Sequence, residues 1–432
     1  MKLINFIKQS WTAMRQQSML SIVTIVGTAL AIFLIMIVVM IEQVKVAPYS
    51  PESNRDRMLH ATWASIKSVD ESQGWSSNGP LSYQSAKALY KDIEEAEAVT
   101  IYCPSTEREV VAFPGKPPVE VDLRQTDDVY WRVFDFKVIS GKPYNEADFE
   151  AGLPVAVISR SVARAVFGSD DVAGKELLIG HAPYKVAAVV QDASTLATHA
   201  YGQVWIPFTS TEVVNNTWNG VMGGLCVTIL AHDEDDFDEI RASVLRNYDR
   251  YNKEIEEPTG WKFIDLGRPY TTEKDAYAFG ANVEPDIKAE RRSRYIVYLI
   301  LLIVPAVNLS SMTESRLRRR IAEIGVRRAF GCSRKQIVFQ IIGENMFITL
   351  IAGILGLLMS VVFSYLCNSL LFSEPYSDTF NPPTVDASML IQPSTFLWAL
   401  LFCFILNVLS SGIPSLRASR TDIVKALNGN KH

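Results

Sequence analysis

The sequence predicts an α+β membrane protein with four transmembrane helices, one N-terminal and three C-terminal. A large α+β extracytoplasmic domain lies between helices 1 and 2. Three observations carry this reading. Four stretches of the 432 residues, 20–41, 295–312, 346–372 and 396–414, contain no Asp, Glu, Lys, Arg or His. Between the first two, residues 42–294 alternate strand-like and helical patterns. The net charge of −5 also conceals a strong asymmetry: residues 42–290 carry 40 acids and 24 bases, whereas residues 313–345 carry eight bases and three acids.

Residues 1–19 hold Lys2, Lys8 and Arg15 and no acid. Leu3, Ile4, Ile7, Trp11 and Met14 recur at helical spacing, as in an amphipathic helix lying on the inner membrane surface. In 20–41, fourteen of 22 residues are Leu, Ile, Val or Phe, so insertion is favoured by about 4–8 kcal/mol. The run ends in Val-Met-Ile-Glu and not in a small-residue cleavage site, which reads as an uncleaved anchor. Residues 295–312 span about 27 Å, enough for the hydrocarbon core. Residues 346–372 are long enough to tilt, and 396–414 form the last span. The tail 415–432 is basic, and the loop 373–395 holds Glu374, Asp378 and Asp386 without a base. The positive-inside rule places both termini and the 313–345 loop in the cytoplasm, with 42–294 and 373–395 outside.

The outer domain shows two β-α-β patterns. One is strand-like at 59–67, helical at 83–93 and strand-like at 98–103. The other is strand-like at 225–230, helical through Phe237, Ile240, Val244, Leu245 and Tyr248, and strand-like at 261–265. Each needs a sheet partner, so the two are expected to form one membrane-proximal split sheet, about 55–105 and 222–267. The strand-rich stretch of about 106–210 reads as an inserted subdomain, with a hairpin 176–179/184–190 turning at Gly180-His181-Ala182-Pro183.

Several chemistries are excluded. Ion-coupled carriers keep ionisable side chains at membrane depth, and these spans have none. No G-x-x-x-x-G-K-[ST] phosphate loop occurs, so ATP is not bound by that route, and no G-x-S-x-G, H-E-x-x-H or kinase set is present. The five histidines are scattered without metal-ligand spacing, and 232–236 (His-Asp-Glu-Asp-Asp) reads as a solvated turn before a helix. Neither a resident cofactor nor nucleic-acid binding is expected. Cys103 and Cys226 lie in strand-like runs of the outer domain, which leaves open whether they pair. The small pairs Gly27/Ala31, Ala352/Gly356 and Ser360/Ser364 permit close helix packing, within the chain or between copies.

The informative segment is the cytoplasmic loop. It reads Glu323-Ile324-Gly325-Val326-Arg327-Arg328-Ala329-Phe330-Gly331-Cys332-Ser333, and predicts a basic helix, a glycine break and a second helix N-capped by Ser333. A loop that only sets topology needs scattered Lys and Arg, not this order. Gly325 and Ala329 lie four apart, suited to close approach of a partner, and Glu323 and Arg327 share a neighbouring face where they pair with each other or with that partner.

This motif resembles the one before the third helix in FtsX-like/MacB-type ABC transporter permeases. The outer segments Pro154-Val155-Ala156-Val157-Ile158-Ser159 and Val172-Ala173-Gly174-Lys175, with 184–192, resemble the MacB-like periplasmic core domain, and the tail from Pro414 through Leu427 fits the FtsX-like permease domain. Arg319-Arg320 stands where the family often has Glu-Arg, and the chain begins at the membrane anchor without a fused ATPase. The resemblance implies a non-catalytic permease subunit for export or efflux in a bacterial cytoplasmic (inner) membrane. It is driven by separate ABC ATPase subunits that carry the ATP and Mg, works as a homodimer or heterodimer, and can join a periplasmic adaptor and an outer-membrane channel. Glu323, Ile324, Gly325, Val326, Arg327, Arg328, Ala329 and Gly331 would be its ATPase-coupling residues. Lipoprotein extraction or regulation of cell-wall hydrolases is the alternative use of the same fold. A membrane receptor fits less well, because the longest cytoplasmic piece has about 33 residues, too few for an output domain.

Overall fold

The long helices are α1 (Ser18–Val46), α2 (Phe237–Thr259), α3 (Ile287–Arg319), α4 (Ile321–Ala329), α5 (Arg334–Leu366) and α6 (Pro393–Arg420). They belong to a computed structural model that describes residues 18–72, 74–278, 280–373, 381, 384–385 and 387–420. The expected N-terminal amphipathic helix, the tail beyond 420, and Glu374, Asp378 and Asp386 lie outside the described residues. The chain divides into two compact units. The first holds residues 1–43, 288–371 and 386–432, and the second 44–287 and 372–385.

In the first unit, α1, α3, α5 and α6 are long and apolar enough to cross a membrane. Each is longer than, or displaced from, the uncharged window that announced it. α3 has 33 residues against the 18 of 295–312, about 50 Å of helix. α5 starts at Arg334 and ends at Leu366, where 346–372 was expected. The start is fixed by a capping box in which Ser333 accepts from the Gln336 N–H and Gln336 reaches back to Ser333. The window missed these turns because Glu344, though charged, is buried by pairing.

Ile32, Ile35, Met36 and Val39 of α1 pack with Leu302 and Leu309 of α3 and with Phe402 and Leu406 of α6. Ala352, Gly356, Ser360 and Ser364 form a buried stripe on α5 that packs within the chain: a Cβ on Gly356 would stand 2.6 Å from the Ala29 carbonyl and 3.0 Å from Ile32 Cβ, and Ser364 Oγ lies 3.7 Å from Met40 Sδ. Gly27, by contrast, faces open space. Gly356→Ala is therefore expected to lower bundle stability by about 1–3 kcal/mol through overpacking, whereas Gly27→Ala should not. Thermal unfolding of the two variants in detergent compares them, and equal midpoints would refute the close α1–α5 approach.

Among the described residues the second unit contains fourteen strands: β1 (Met58–Ala61), β2 (Ala64–Ser68), β3 (Ser76–Gly79), β4 (Ala96–Tyr102), β5 (Glu107–Ala112), β6 (Val119–Thr126), β7 (Val138–Gly141), β8 (Val155–Ser159), β9 (Glu176–Ile179), β10 (Ala182–Val190), β11 (Val204–Pro207), β12 (Cys226–Ala231), β13 (Trp261–Ile264) and β14 (Tyr270–Thr271). The run 59–67 is not one strand. It breaks at Thr62-Trp63, where the Thr62 hydroxyl donates to Asp275. Its first half, β1, pairs with β12, and its second half, β2, pairs with β13. The expected single split sheet is accordingly two sheets: β4-β12-β1-β14 at one end of the large sheet, and a separate β13-β2-β3.

The 107–207 strands close on themselves. β6, β5, β9, β10, β8 and β11 follow one another, and β11 pairs back onto β6. The result is a small barrel around Val121, Leu123, Ile158, Val186 and Ile206. The barrel shares the large sheet through the single pair Tyr102↔Thr126, so it is not a sheet apart. The β9/β10 turn is only Gly180-His181, both with positive φ (54° and 75°). That is the handedness a two-residue hairpin requires, so Ala182 and Pro183 belong to the strand.

Alternation sets the two faces of β4, β12 and β1. Val99, Ile101, Cys103, Val227, Ile229, Leu59 and Ala61 face a core with Ile240, Val244 and Tyr248 of α2. Thr100, Tyr102, Cys226, Thr228 and His60 take the opposite face. Because Cys226 is opposite Tyr102 in the ladder, Cys103, one residue on, points the other way. Both thiols are free and buried, and Cys226 Sγ donates to the Tyr102 carbonyl at 3.2 Å.

Candidate coupling site

α4 is a nine-residue helix between α3 and α5. It ends because Gly331 adopts φ +92°, where a Cβ is strained. The Gly331 N–H donates to the Arg328 carbonyl and the Cys332 N–H to the Arg327 carbonyl, each at 3.1 Å. This is a Schellman closure. Gly331 thus turns the chain from α4 into the capping box of α5. Ile324 points inward with Leu317, Ile337, Ile341 and Ala418, and Gly325 is buried on the same side.

The charged residues close a ring. Arg320 donates to Glu323 at 3.0 Å and to Glu344 at 2.6 Å. Arg327 donates to Glu323 at 2.6 Å and to Gln340 at 2.7 Å. Gln340 donates to Glu344 at 3.0 Å. The hydrogen bond from Arg320 is the largest influence on Glu323 and, with Arg327, holds its carboxyl below the usual range against partial burial. Five side chains therefore lock α4 to the first turns of α5 and to the end of α3. The outer surface is left to Val326, 42% exposed, to Ala329, and to Phe330, 88% exposed, with Phe339 of α5 at 75%. Among the described residues no group of three His, Cys, Asp or Glu side chains could hold a metal ion.

A second polar cluster is buried in the other unit, on the polar face of β4, β12 and β1. Glu52 and Arg55 are 1% and 3% exposed and 2.6 Å apart. The second Glu52 oxygen accepts the His199 and Ala200 N–H groups. The His199 ring stacks on His60 with centroids 3.9 Å apart, and its Nε2 donates to Asp275 at 3.1 Å. His60 is held between the hydroxyls of Thr228 and Thr272, and burial next to His199 lowers its pKa to about 3.

Two family models match this chain: the MacB-like periplasmic core domain over residues 21–246 and the FtsX-like permease C-terminal domain over residues 295–423. The chain belongs to the MacB/FtsX-like ABC transporter permease family. The permease is 20% identical over 438 residues to YknZ of Bacillus subtilis, an uncharacterized ABC transporter permease, a match that covers 99% of each chain. It is 22% identical over 312 residues to the macrolide export ATP-binding/permease protein MacB of Pasteurella multocida, covering 72% of this chain but only 43% of that protein. The solved extracellular domain of YknZ matches 47% of the permease at 14% identity, with a TM-score of 0.34. The periplasmic region of MacB from Actinobacillus actinomycetemcomitans matches 48% at 16% identity, with a TM-score of 0.33.

The four apolar helices and the family together make the permease a membrane protein with an extracytoplasmic domain between its first two helices. The structure distributes the eight motif residues over four tasks. Glu323 and Arg327 join the ring, Ile324 and Gly325 face the chain's own core, and Val326 and Ala329 face outward with Arg328 half-buried. Gly331 makes the turn. Gly325 and Ala329, four apart, do not share an exposed face: Gly325 is covered by the permease itself. Sequence reasoning did not single out Gln340, Glu344, Phe330 or Phe339. Gln340 and Glu344, four apart on a helix, carried a usable spacing signal; the two phenylalanines carried none.

Proposed function

We propose that the permease is the non-catalytic subunit that passes ATP-driven motion from separate cytoplasmic ATPase subunits to its extracytoplasmic domain, for export or efflux. In this reading ATP and Mg belong to the ATPase. The termini and α4 lie in the cytoplasm, and the permease acts as a pair with a second copy or a second permease. The observation that carries it is the surface of α4. Val326, Ala329 and Phe330 form an exposed apolar edge on a helix whose ionic ring and inward Ile324 leave it little freedom of its own. A rigid, pre-organised apolar edge flanked by arginines suits a cleft on a partner protein.

The test is recovery of the ATPase with tagged permease from native membranes. Val326→Asp with Phe330→Asp alters only exposed side chains and should reduce co-purification by about 30-fold or more, the loss of a central hot spot. Full association and transport at normal membrane levels would overturn the docking role.

A further inference from the structure

The uncharged spans suggest that nothing polar joins the helices, yet a continuous polar chain crosses all four at one end of the bundle. Arg316 of α3 donates through Nη2 to Thr24 Oγ1 of α1 at 2.6 Å and through Nη1 to Asn345 Oδ1 of α5 at 3.3 Å. Asn345 Nδ2 donates to Ser411 Oγ of α6 at 2.8 Å, and Ser411 Oγ donates to Asn407 Oδ1 at 3.2 Å. Asn407 Nδ2 returns to the Ile342 carbonyl of α5 at 3.1 Å. This chain abuts the ionic ring of α4 at two points. Arg316 lies one turn before Arg320, and Asn345 directly follows Glu344.

We propose that Arg316 is a positioning residue that relays movement of α4 to α1, the helix that leads into the extracytoplasmic domain. The inference rests on the ATP-driven reading above. The guanidinium is always charged and presents its donors in a fixed fork, so it holds Thr24 and Asn345 at once. These bonds are part-buried at the end of the bundle, where a hydrogen bond is stronger than in open water. Arg316 Nε is itself buried without a partner, so its two Nη contacts are what hold the group. A shift of α5 that moves Asn345 must drag Arg316, and with it Thr24. Without the guanidinium, α5 and α6 remain joined through Asn345, Ser411 and Asn407, but the polar chain no longer reaches Thr24 of α1.

The experiment reads the far end of α1. Glu42 and Arg294 form an ion pair at 3.3 Å between α1 and α3, and Glu42 lies 18 residues from Thr24, about 27 Å along the helix. Glu42→Cys with Arg294→Cys converts this pair into a disulfide reporter. It is followed in native membrane vesicles with and without Mg-ATP and vanadate, with the cross-link identified by mass spectrometry. In the otherwise unchanged chain, nucleotide is expected to alter the cross-linking rate by about fivefold or more. Arg316→Met should abolish that response while keeping ATPase association, and Arg316→Lys, which can still reach one acceptor, should restore part of it. Thr24→Val cuts the relay at its other end, is nearly isosteric, and serves where Arg316→Met does not accumulate. A full response in both Arg316→Met and Thr24→Val overturns the relay and leaves the ATP-driven reading standing. No response in the otherwise unchanged chain overturns that reading itself.

Discussion

Arg55→Met is expected to destabilise the extracytoplasmic domain by about 3–5 kcal/mol, the cost of leaving a buried charge without its partner. Burial alone would raise the Glu52 pKa, but Arg55 first, then His199 and the Ala200 N–H, hold it below the carboxylate range. Without Arg55, burial acts unopposed by its main counter-charge. Arg55 also donates to the carbonyls of Val44, Ala47 and Leu196 and to the Tyr49 hydroxyl, so the substitution strips four further acceptors. The measurement is the rate at which Cys103 and Cys226, buried on opposite faces of the sheet, become reactive to a thiol reagent in the full chain. Both should react faster in Arg55→Met. Glu52→Gln with Arg55→Met should recover much of the loss, because no unpaired charge remains. A single-variant cost below about 1 kcal/mol would show that the pair is not a structural anchor.

The second large effect is on pH dependence, where two buried groups act in opposite directions. The folded-state pKa of His60 is lowered from 6.5 to about 3. The unfolded chain therefore binds a proton that the folded one refuses, and stability falls as pH drops below 6.5. Burial raises the Asp127 pKa from 3.8 to about 6 against the opposing Lys91. The folded chain takes up that proton first, and stability rises as pH drops below 6. At about 1.4 kcal/mol per pH unit, between pH 6.5 and 4.5 His60 removes about 3 kcal/mol and Asp127 returns about 2 kcal/mol. The unsubstituted domain should change by only about 1 kcal/mol across this window.

Asp127→Asn should expose the full loss, and His60→Gln should make the domain more stable at pH 4.5 than at 6.5. Chemical denaturation followed by tryptophan fluorescence tests this, since Trp63, Trp75, Trp131, Trp205, Trp218 and Trp261 all lie in this unit. Parallel pH profiles for the two variants would refute the assignment. Below about pH 4.5 Glu52 begins to contribute, and below about 3.8 Asp275 does. Both have folded pKa values lowered despite burial, so both lose stability as pH falls through those values.

The sequence by itself determined which segments are membrane helices, where α4 stops and what caps α5. It also carried the motif that marks the family. These are local properties: an uncharged run, a glycine at a left-handed position, a serine three residues before a glutamine. Only the tertiary structure decided the rest. Thr62 bending toward Asp275 turned one expected sheet into two, and strand register put Cys103 and Cys226 on opposite faces. The motif put Glu323 and Arg327 on one face, but did not tell that they pair with each other, that Arg320, Gln340 and Glu344 close the ring or that Gly325 faces inward. Nor could the spans, read one at a time, disclose the chain from Thr24 through Arg316 and Asn345 to Asn407. Thr24 and Arg316, bonded directly, are 292 positions apart, and pairing at that distance is set by how helices and strands pack, which no local window of sequence contains.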